Sequence, residues 1–314
     1  MIQRPKVSII GGGNVGTACA YQIVKKELGN VTIVDIEEKL PIVKGLILEI
    51  SECSPIDQFD ATLKVSSEYK DIEKSDIVIV TAGFPRHPGM TRDDLIQENL
   101  KIMKNITIHL NRYCPESIVV VVTNPVDTMT YFVWKETELE KSRVIGHSGC
   151  LDNSRFKTFI AEKLGVSKSD IQALIIGSHG DEMVPLIRFT SVSGIPITNL
   201  LSDEEIEYIV NRTKHAGTEI VSLKGISAYY TPGVSITEII EAIVKDKNRI
   251  LPCSVLCEKE YGVGGYCIGV PCIINRKGVK KIIELELNYE ESALLNMSID
   301  HIEKLIHEQL TSSV

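Results

Sequence analysis

The sequence lacks any apolar run approaching the ~18 residues that would suggest a membrane span. Nor does it open on a secretion signal, because its first apolar stretch, Val7 to Ile10, runs straight into a glycine turn. A cytoplasmic location with no membrane partner is the expectation. There is no surplus of basic residues either: 34 Lys and Arg stand against 42 Asp and Glu, a net charge of −8. That balance argues against a nucleic-acid partner. No internal repeat, low-complexity tract or flexible linker interrupts the 314 residues. The eight cysteines form no tight zinc pattern, since Cys253, Cys257, Cys267 and Cys272 are separated by three, nine and four residues. Their segments read as strands, so reduced thiols packed as small hydrophobes are expected, with no metal required.

What is present is an ordinary globular composition, 43% hydrophobic and 24% charged, in a chain long enough for two packed lobes. The first half alternates strand-like segments (Val7 to Ile10, Val31 to Val34, Thr62 to Val65, Asp76 to Val80, Ser117 to Val122) with helical ones. One helix is expected from Val15 to Glu27, ended by Gly29-Asn30, and another from Asp93 to Tyr113. Pro41 predicts a late start or a kink in the helix after Asp35. The Ile/Val run ending at Val122 is too continuous for a half-exposed strand and belongs inside a covered sheet. Such alternation implies a parallel, doubly wound sheet with ligands at its carboxyl strand ends. From about Gly146 the pattern becomes α+β: a helix from Leu151 to Leu164, strands from Ile171 to Ile176 and Met183 to Val192, long helices from Asp203 to Leu223 and Ala228 to Lys245, and a last amphipathic helix from Glu290 to Leu310. The expected fold class is therefore α/β, a Rossmann-type doubly wound parallel sheet followed by an α+β substrate and catalytic domain. Residues 1–145 and 146–314 are the expected domains.

Gly11-Gly12-Gly13-Asn14-Val15-Gly16 fits G-x-G-x-x-G directly after a strand and at a helix start. Gly11 permits the tight turn, Gly13 lets backbone approach a pyrophosphate, and Gly16 lets the helix pack closely on the sheet. The helix start offers free N–H groups and a positive dipole end to phosphate. The next strand ends in Asp35, placed to accept hydrogen bonds from ribose hydroxyls and to repel the additional phosphate of NADP, with Ile36 offering no compensating cation. NAD is the expected cofactor. Asn14, Val15, Thr81, Ala82, Gly83, Asn99, Val122 and Asn124 complete the expected cofactor contacts.

Four further strings carry chemistry. The Pro/Gly-punctuated loop Thr81-Ala82-Gly83-Phe84-Pro85-Arg86-His87-Pro88-Gly89-Met90-Thr91-Arg92-Asp93-Asp94 holds two guanidinium forks, suited to a lid over an anion with more than one negative group. The others are Thr123-Asn124-Pro125-Val126-Asp127, Leu151-Asp152-Asn153-Ser154-Arg155-Phe156 and Gly177-Ser178-His179-Gly180-Asp181-Glu182-Met183-Val184-Pro185. Hydride reduction of a ketone needs a proton for the developing alkoxide, and His179 titrates in the right range to give or take it. Asp152 can orient and support the imidazolium, and Arg155, three residues on, shares its helix face.

Together these strings make the chain, over essentially its whole length, resemble the L-lactate/L-malate dehydrogenase family. The resemblance implies that His179 and Asp152 form the proton-transfer pair, that Arg155 grips the substrate C1 carboxylate, and that Arg92 polarises the C2 oxygen. It also implies a cis Asn124-Pro125 bond, Asn124 in contact with substrate or cofactor, Ser227 in the substrate pocket, and a homodimer or homotetramer. Arg86 stands where the lactate branch typically has glutamine and the malate branch arginine. A second carboxylate enclosed without a cation would cost several kcal/mol, so a dicarboxylate substrate is expected. Ala228 also fits the malate branch, whereas Ser178 replaces a glycine common there. An L-lactate or broad 2-hydroxy-acid dehydrogenase, an NAD-dependent glycosidase of related fold, and a non-catalytic NAD-binding protein stand as alternatives.

Overall fold

A computed structural model describes residues 4–84 and 92–310. The first half runs β1 (Lys6–Ile10), α1 (Asn14–Lys25), β2 (Asn30–Val34), α2 (Leu40–Glu52), α3 (Ser54–Asp57), β3 (Leu63–Ser66), β4 (Ile77–Val80), α4 (Arg92–Tyr113), β5 (Ile118–Val121), α5 (Val126–Glu136) and β6 (Val144–Gly146). Its strands lie in the order β3-β2-β1-β4-β5-β6, all parallel. The order reverses direction at β1, where Ile9 stands opposite Ile33 of β2 on one side and Ile79 of β4 on the other. A crevice opens at such a reversal, at the carboxyl ends of the strands.

The second half runs α6 (Gly149–Leu164), β7 (Ile171–Gln172), β8 (Ile175–Gly177), β9 (Met183–Pro185), β10 (Ser191–Val192), β11 (Ile195–Pro196), α7 (Asp203–Lys224), α8 (Tyr230–Val244), β12 (Arg249–Cys257), β13 (Tyr266–Asn275), β14 (Gly278–Ile282) and α9 (Tyr289–Leu310). The sheet continues across the middle of the chain. Ser254 of β12 pairs antiparallel with Gly146 of β6, and the order goes on through β13, β8 and β9, with β14 beside β13. A small sheet, β11-β10-β7, stands apart.

Side-chain alternation on the parallel strands builds two cores. Val7, Ile9, Ile33, Ile79 and Val120 face Ile23 and Val24 of α1 and Ile236 and Ile239 of α8. Val34, Val78, Val80, Val119 and Val121 face Ile96, Met103 and Ile106 of α4 and Met129 of α5. Helices α1 and α8 meet so closely that a Cβ on Gly233 would stand 2.9 Å from Ala18. A third cluster joins Phe156 and Ile160 of α6 to Ile206 and Ile209 of α7.

Several expected boundaries move, each for a physical reason. Helix α1 ends at Lys25, before the expected Glu27 and its Gly-Asn stop. Glu27 itself takes the left-handed conformation (φ 56°) because its carboxylate is held by Arg4 and by the N–H groups of Asp60 and Ala61. Gly29 serves packing instead, since a Cβ there would stand 2.7 Å from the Pro5 carbonyl oxygen. The expected strand 183–192 breaks at a 3-10 turn, Ile187–Phe189, because β9 pairs with β8 while β10 pairs with β7 in the other sheet. For the same reason the strand expected over 171–176 divides into β7 and β8. Helix α8 starts at Tyr230 rather than Ala228: Gly225 (φ 76°) closes α7, and Lys224 Nζ sits 3.5 Å over the Tyr229 ring in the connection. Pro41 lies in the first turn of α2, the late start expected of it. Cys253, Cys257, Cys267 and Cys272 are buried unpaired on β12 and β13, and burial pushes the Cys257 thiol up to about 12.

Candidate active site

The nucleotide cradle is built by close backbone approach. Gly11 has φ 108°, and a Cβ there would lie 2.6 Å from the Ala82 nitrogen. A Cβ on Gly16 would collide with the Gly11 carbonyl oxygen, so only glycine lets α1 start against the end of β1. Around Gly13 there is open space within 4 Å, and this residue caps α1 without a side-chain hydrogen bond. The first-turn N–H groups therefore remain available to phosphate oxygens. Asn14 is exposed and Val15 half-buried at this helix start. Asp35, at the end of β2, accepts the Gly12 N–H through Oδ2 at 2.7 Å and the Ile36 N–H through Oδ1 at 2.8 Å. Those bonds lock its orientation and leave further lone pairs on both oxygens for ribose hydroxyls. The residues present fit NAD. Changing Asp35 to Asn removes the charge but leaves an acceptor, and is expected to lower the NADH-to-NADPH ratio of kcat/KM by about tenfold or more. Steady-state rates with both coenzymes check this, and an unchanged ratio removes Asp35 from the ribose site.

The turns after β4 and β5 frame the cleft. Thr81 Oγ1 donates to the Gly11 carbonyl at 2.8 Å, and Thr123 Oγ1 to the Ala82 carbonyl at 2.6 Å. Gly83 lies so close to Thr123 that a Cβ would stand 2.7 Å from its methyl carbon. Val122 is half-buried, with its N–H on the Val80 carbonyl. Asn99 of α4 is 1% exposed; its Oδ1 accepts the Phe84 N–H and its Nδ2 donates to the Asn124 carbonyl, both at 2.8 Å. Its amide thus ties the two turns together. The Asn124-Pro125 peptide is cis, and the Asn124 side chain is exposed at the cleft.

The chemical centre forms where α6 meets the turn after β8. His179 Nδ1 stands 2.7 Å from Asp152 Oδ2, with the carboxylate side chain 1% exposed and the imidazole 17%. Burial alone would lower the imidazole, but the charge and hydrogen bond of Asp152 outweigh it, and His179 is raised above its ordinary range. Because Nδ1 faces Asp152, Nε2 is the nitrogen left for a substrate. Arg155 Nη1 donates to Asp152 Oδ1 at 3.2 Å, while Arg155 Nε is buried without a hydrogen-bond partner among the described residues. An unpaired guanidinium N–H beside the imidazole suits a carboxylate. His179, Asn124, Pro125, Leu95, Ile96 and Glu182 line a recess of about 300 Å³. A larger recess, about 860 Å³, opens near Lys74, Arg143 and Arg276 at the amino ends of β4 and β5. That is the wrong end of a parallel sheet for chemistry.

His179 thus contacts Asp152, which contacts Arg155, and shares a recess with Asn124. Ser227 lies exposed in the connection between α7 and α8 and does not line the recess. Arg86 lies outside the described residues, and Arg92 opens α4. Two buried groups carried no usable sequence signal. His147 (3% exposed) has Nε2 2.6 Å from Ser235 Oγ, and burial pushes it down to about 3, so it is a neutral packing residue. Asp127 accepts the His179 N–H at 3.0 Å through Oδ2. Its string was visible, but a first-turn aspartate reads as an ordinary helix-start charge.

Comparison with known proteins agrees with this geometry. Residues 5–146 match the lactate/malate dehydrogenase NAD binding domain, and residues 150–312 the lactate/malate dehydrogenase alpha/beta C-terminal domain. A malate dehydrogenase of Bacillus israeli is 48% identical over 306 residues, covering 97% of this chain and 98% of its own. The apo malate dehydrogenase of Picrophilus torridus superimposes with a TM-score of 0.94 at 42% identity, covering 98% of this chain and 97% of that one. A Cryptosporidium parvum lactate dehydrogenase, solved with lactic acid and β-nicotinamide adenine dinucleotide, gives 0.93 at 37% identity, covering 98% and 99%. The chain is an NAD-dependent oxidoreductase and belongs to the lactate/malate dehydrogenase family.

Proposed function

We propose that this chain is an L-malate dehydrogenase, interconverting L-malate with NAD⁺ and oxaloacetate with NADH. The observation that carries the reaction class is the buried Asp152 carboxylate holding His179 Nδ1 at 2.7 Å, with Arg155 beside it. With its diphosphate held at the glycine cradle, NAD would supply or accept the hydride through its nicotinamide. In reduction, His179 gives its Nε2 proton to the C2 oxygen, and Asp152 supports the imidazolium beforehand. Arg155 grips the C1 carboxylate and thereby sets which face of C2 is presented. Arg92 polarises the C2 oxygen, a contribution on the order of 3 kcal/mol for a charged donor at a developing alkoxide. Asn124 lines the same recess and contacts substrate or cofactor.

Malate over lactate rests on Arg86 in the lid sequence and on relatives that are malate dehydrogenases. Structural neighbours that are lactate dehydrogenases keep a lactate reading in play. NADH oxidation with oxaloacetate and with pyruvate, for wild type and Arg86→Gln, decides between them. Wild type is expected to prefer oxaloacetate, and the substitution to reduce that preference by about a hundredfold, because it removes the cation matched to the distal carboxylate. Pyruvate preferred by wild type overturns the malate reading in favour of lactate.

Residues 1–145 are assigned to NAD and 146–314 to substrate and proton transfer. We assign a homodimer or homotetramer: α2 and α8 both pack on α1 yet leave Ile42 and Leu48, and Tyr230 and Val234, at least half exposed. Apolar area of that kind on neighbouring helices suits a second copy. Eight unpaired cysteines suit a reducing compartment, and the cytoplasm is assigned accordingly. No helix among the described residues is long and apolar enough to cross a membrane.

A further inference from the structure

Asp127 stands in the first turn of α5 but bonds to a different element. It is 4% exposed, and its Oδ2 accepts the main-chain N–H of His179 at 3.0 Å. Its Oδ1 and the hydroxyl of the nearby Ser254 on β12 are both buried without a hydrogen-bond partner among the described residues. A neutral amide or hydroxyl could accept one N–H at far lower desolvation cost than a buried carboxylate with one oxygen unsatisfied. The arrangement therefore calls for a reason that involves charge. We propose that Asp127 is a positioning residue for proton transfer, holding the His179 main chain and favouring the protonated imidazole by its buried negative charge. This rests on reading His179 as the group that gives and takes the substrate proton.

The titration order supports it. Burial raises the Asp127 carboxyl to about 6, against the lowering effects of the His179 N–H and the imidazole itself, while Asp152 adds to the rise. Its charge is thus present above about pH 6, the range in which His179, raised above its ordinary value, gives up its proton. The groups facing this pair are Asp152 and Arg155 from α6, His147 from the segment before α6, and the Cys267 thiol from β13. Glu182 in the recess stands 3.8 Å from His301 of α9. Among these, Asp127 and Asp152 favour the imidazolium, and Arg155 opposes it.

The test is Asp127→Asn, whose amide oxygen still accepts the His179 N–H while the charge is lost. Reduction of oxaloacetate needs a protonated His179 and fails as pH rises; oxidation of malate needs a neutral one and fails as pH falls. Both limbs are expected to move to lower pH in the variant. The reduction rate at pH 9, relative to its own plateau, falls about threefold or more, and oxidation at acid pH gains correspondingly. NMR titration of the His179 ring in the same variant, which needs no turnover, should move in the same direction. Limbs and ring titration that superimpose on wild type overturn the inference and leave Asp127 as a structural hydrogen bond. If Asp127→Asn does not fold, Asp127→Ser carries the test, its hydroxyl oxygen able to accept an N–H with no charge. Both limbs are again expected at lower pH, and unmoved limbs again overturn the inference. Failure of the wild type to reduce any 2-ketoacid removes the underlying reading instead, before any variant is compared.

Discussion

Replacing His179 by Asn is expected to lower kcat for oxaloacetate reduction by about a thousandfold, with NADH affinity changed by less than about threefold. The asparagine amide can still donate toward Asp152, and Asp152 keeps its 3.2 Å contact with Arg155, so the buried carboxylate is not left without a partner. What disappears is, among the described residues, the only imidazole lining the recess between Asn124 and Glu182. Binding of NADH is assigned to the glycine turn after β1 and to Asp35 after β2, away from His179, and is expected to be unchanged. Stopped-flow single turnovers separate the proton-coupled step from coenzyme binding. A variant retaining more than about a tenth of the wild-type rate would falsify the assignment of His179. In wild type the raised imidazole has a signed consequence. The charged form persists above the ordinary histidine range, and reduction is lost as pH rises through the raised value.

The second large effect is expected at Arg155. Arg155→Leu should lower kcat/KM for oxaloacetate by about a thousandfold, ~4 kcal/mol, from two losses together. One is the proposed grip on the substrate carboxylate by a guanidinium whose side chain is only 14% exposed and whose Nε has no hydrogen-bond partner among the described residues. The other is the neutralisation of Asp152, which is left with the imidazole as its one cation. Because Arg155 lowers the His179 pKa, its removal should also carry the alkaline limb of reduction to higher pH, the reverse of the Asp127→Asn shift. Arg155→Lys should recover little, since an ammonium cannot reproduce a planar fork that spans two carboxylates. The ratio of kcat/KM between the variants and wild type, followed across pH, reads both effects. A drop of less than about tenfold for Arg155→Leu would mean the carboxylate is held elsewhere.

Much of this was readable in the linear chain because it is local. The glycine turn, Asp35 and the Ile/Val strand ends are decided by conformational freedom and covered-sheet burial within a few residues, and Asp152 and Arg155 share a helix face by spacing alone. The breaks were less readable. The stretch from Met183 to Val192 is apolar enough for one strand, yet it divides because its two ends pair in different sheets. Helix α8 starts late because Gly225 and the Lys224–Tyr229 contact shape a connection whose residues are individually tolerant of helix. Glu27 takes a left-handed conformation that only its bonds to Arg4, Asp60 and Ala61 explain.

By itself the sequence determined the doubly wound first half, the nucleotide turn, the expectation of NAD, and the residue types of a hydride-coupled proton transfer. Periodicity, turn chemistry and the titration range of histidine are properties that a short stretch of chain carries with it. Only the tertiary structure decided that one sheet runs unbroken from β3 to β9, that Asn99 clamps the two turns of the cleft, and that a second carboxylate, Asp127, reaches the main chain of His179 across 52 residues of sequence. Burial and electrostatic coupling depend on which distant segments are brought into contact, and no local pattern encodes that.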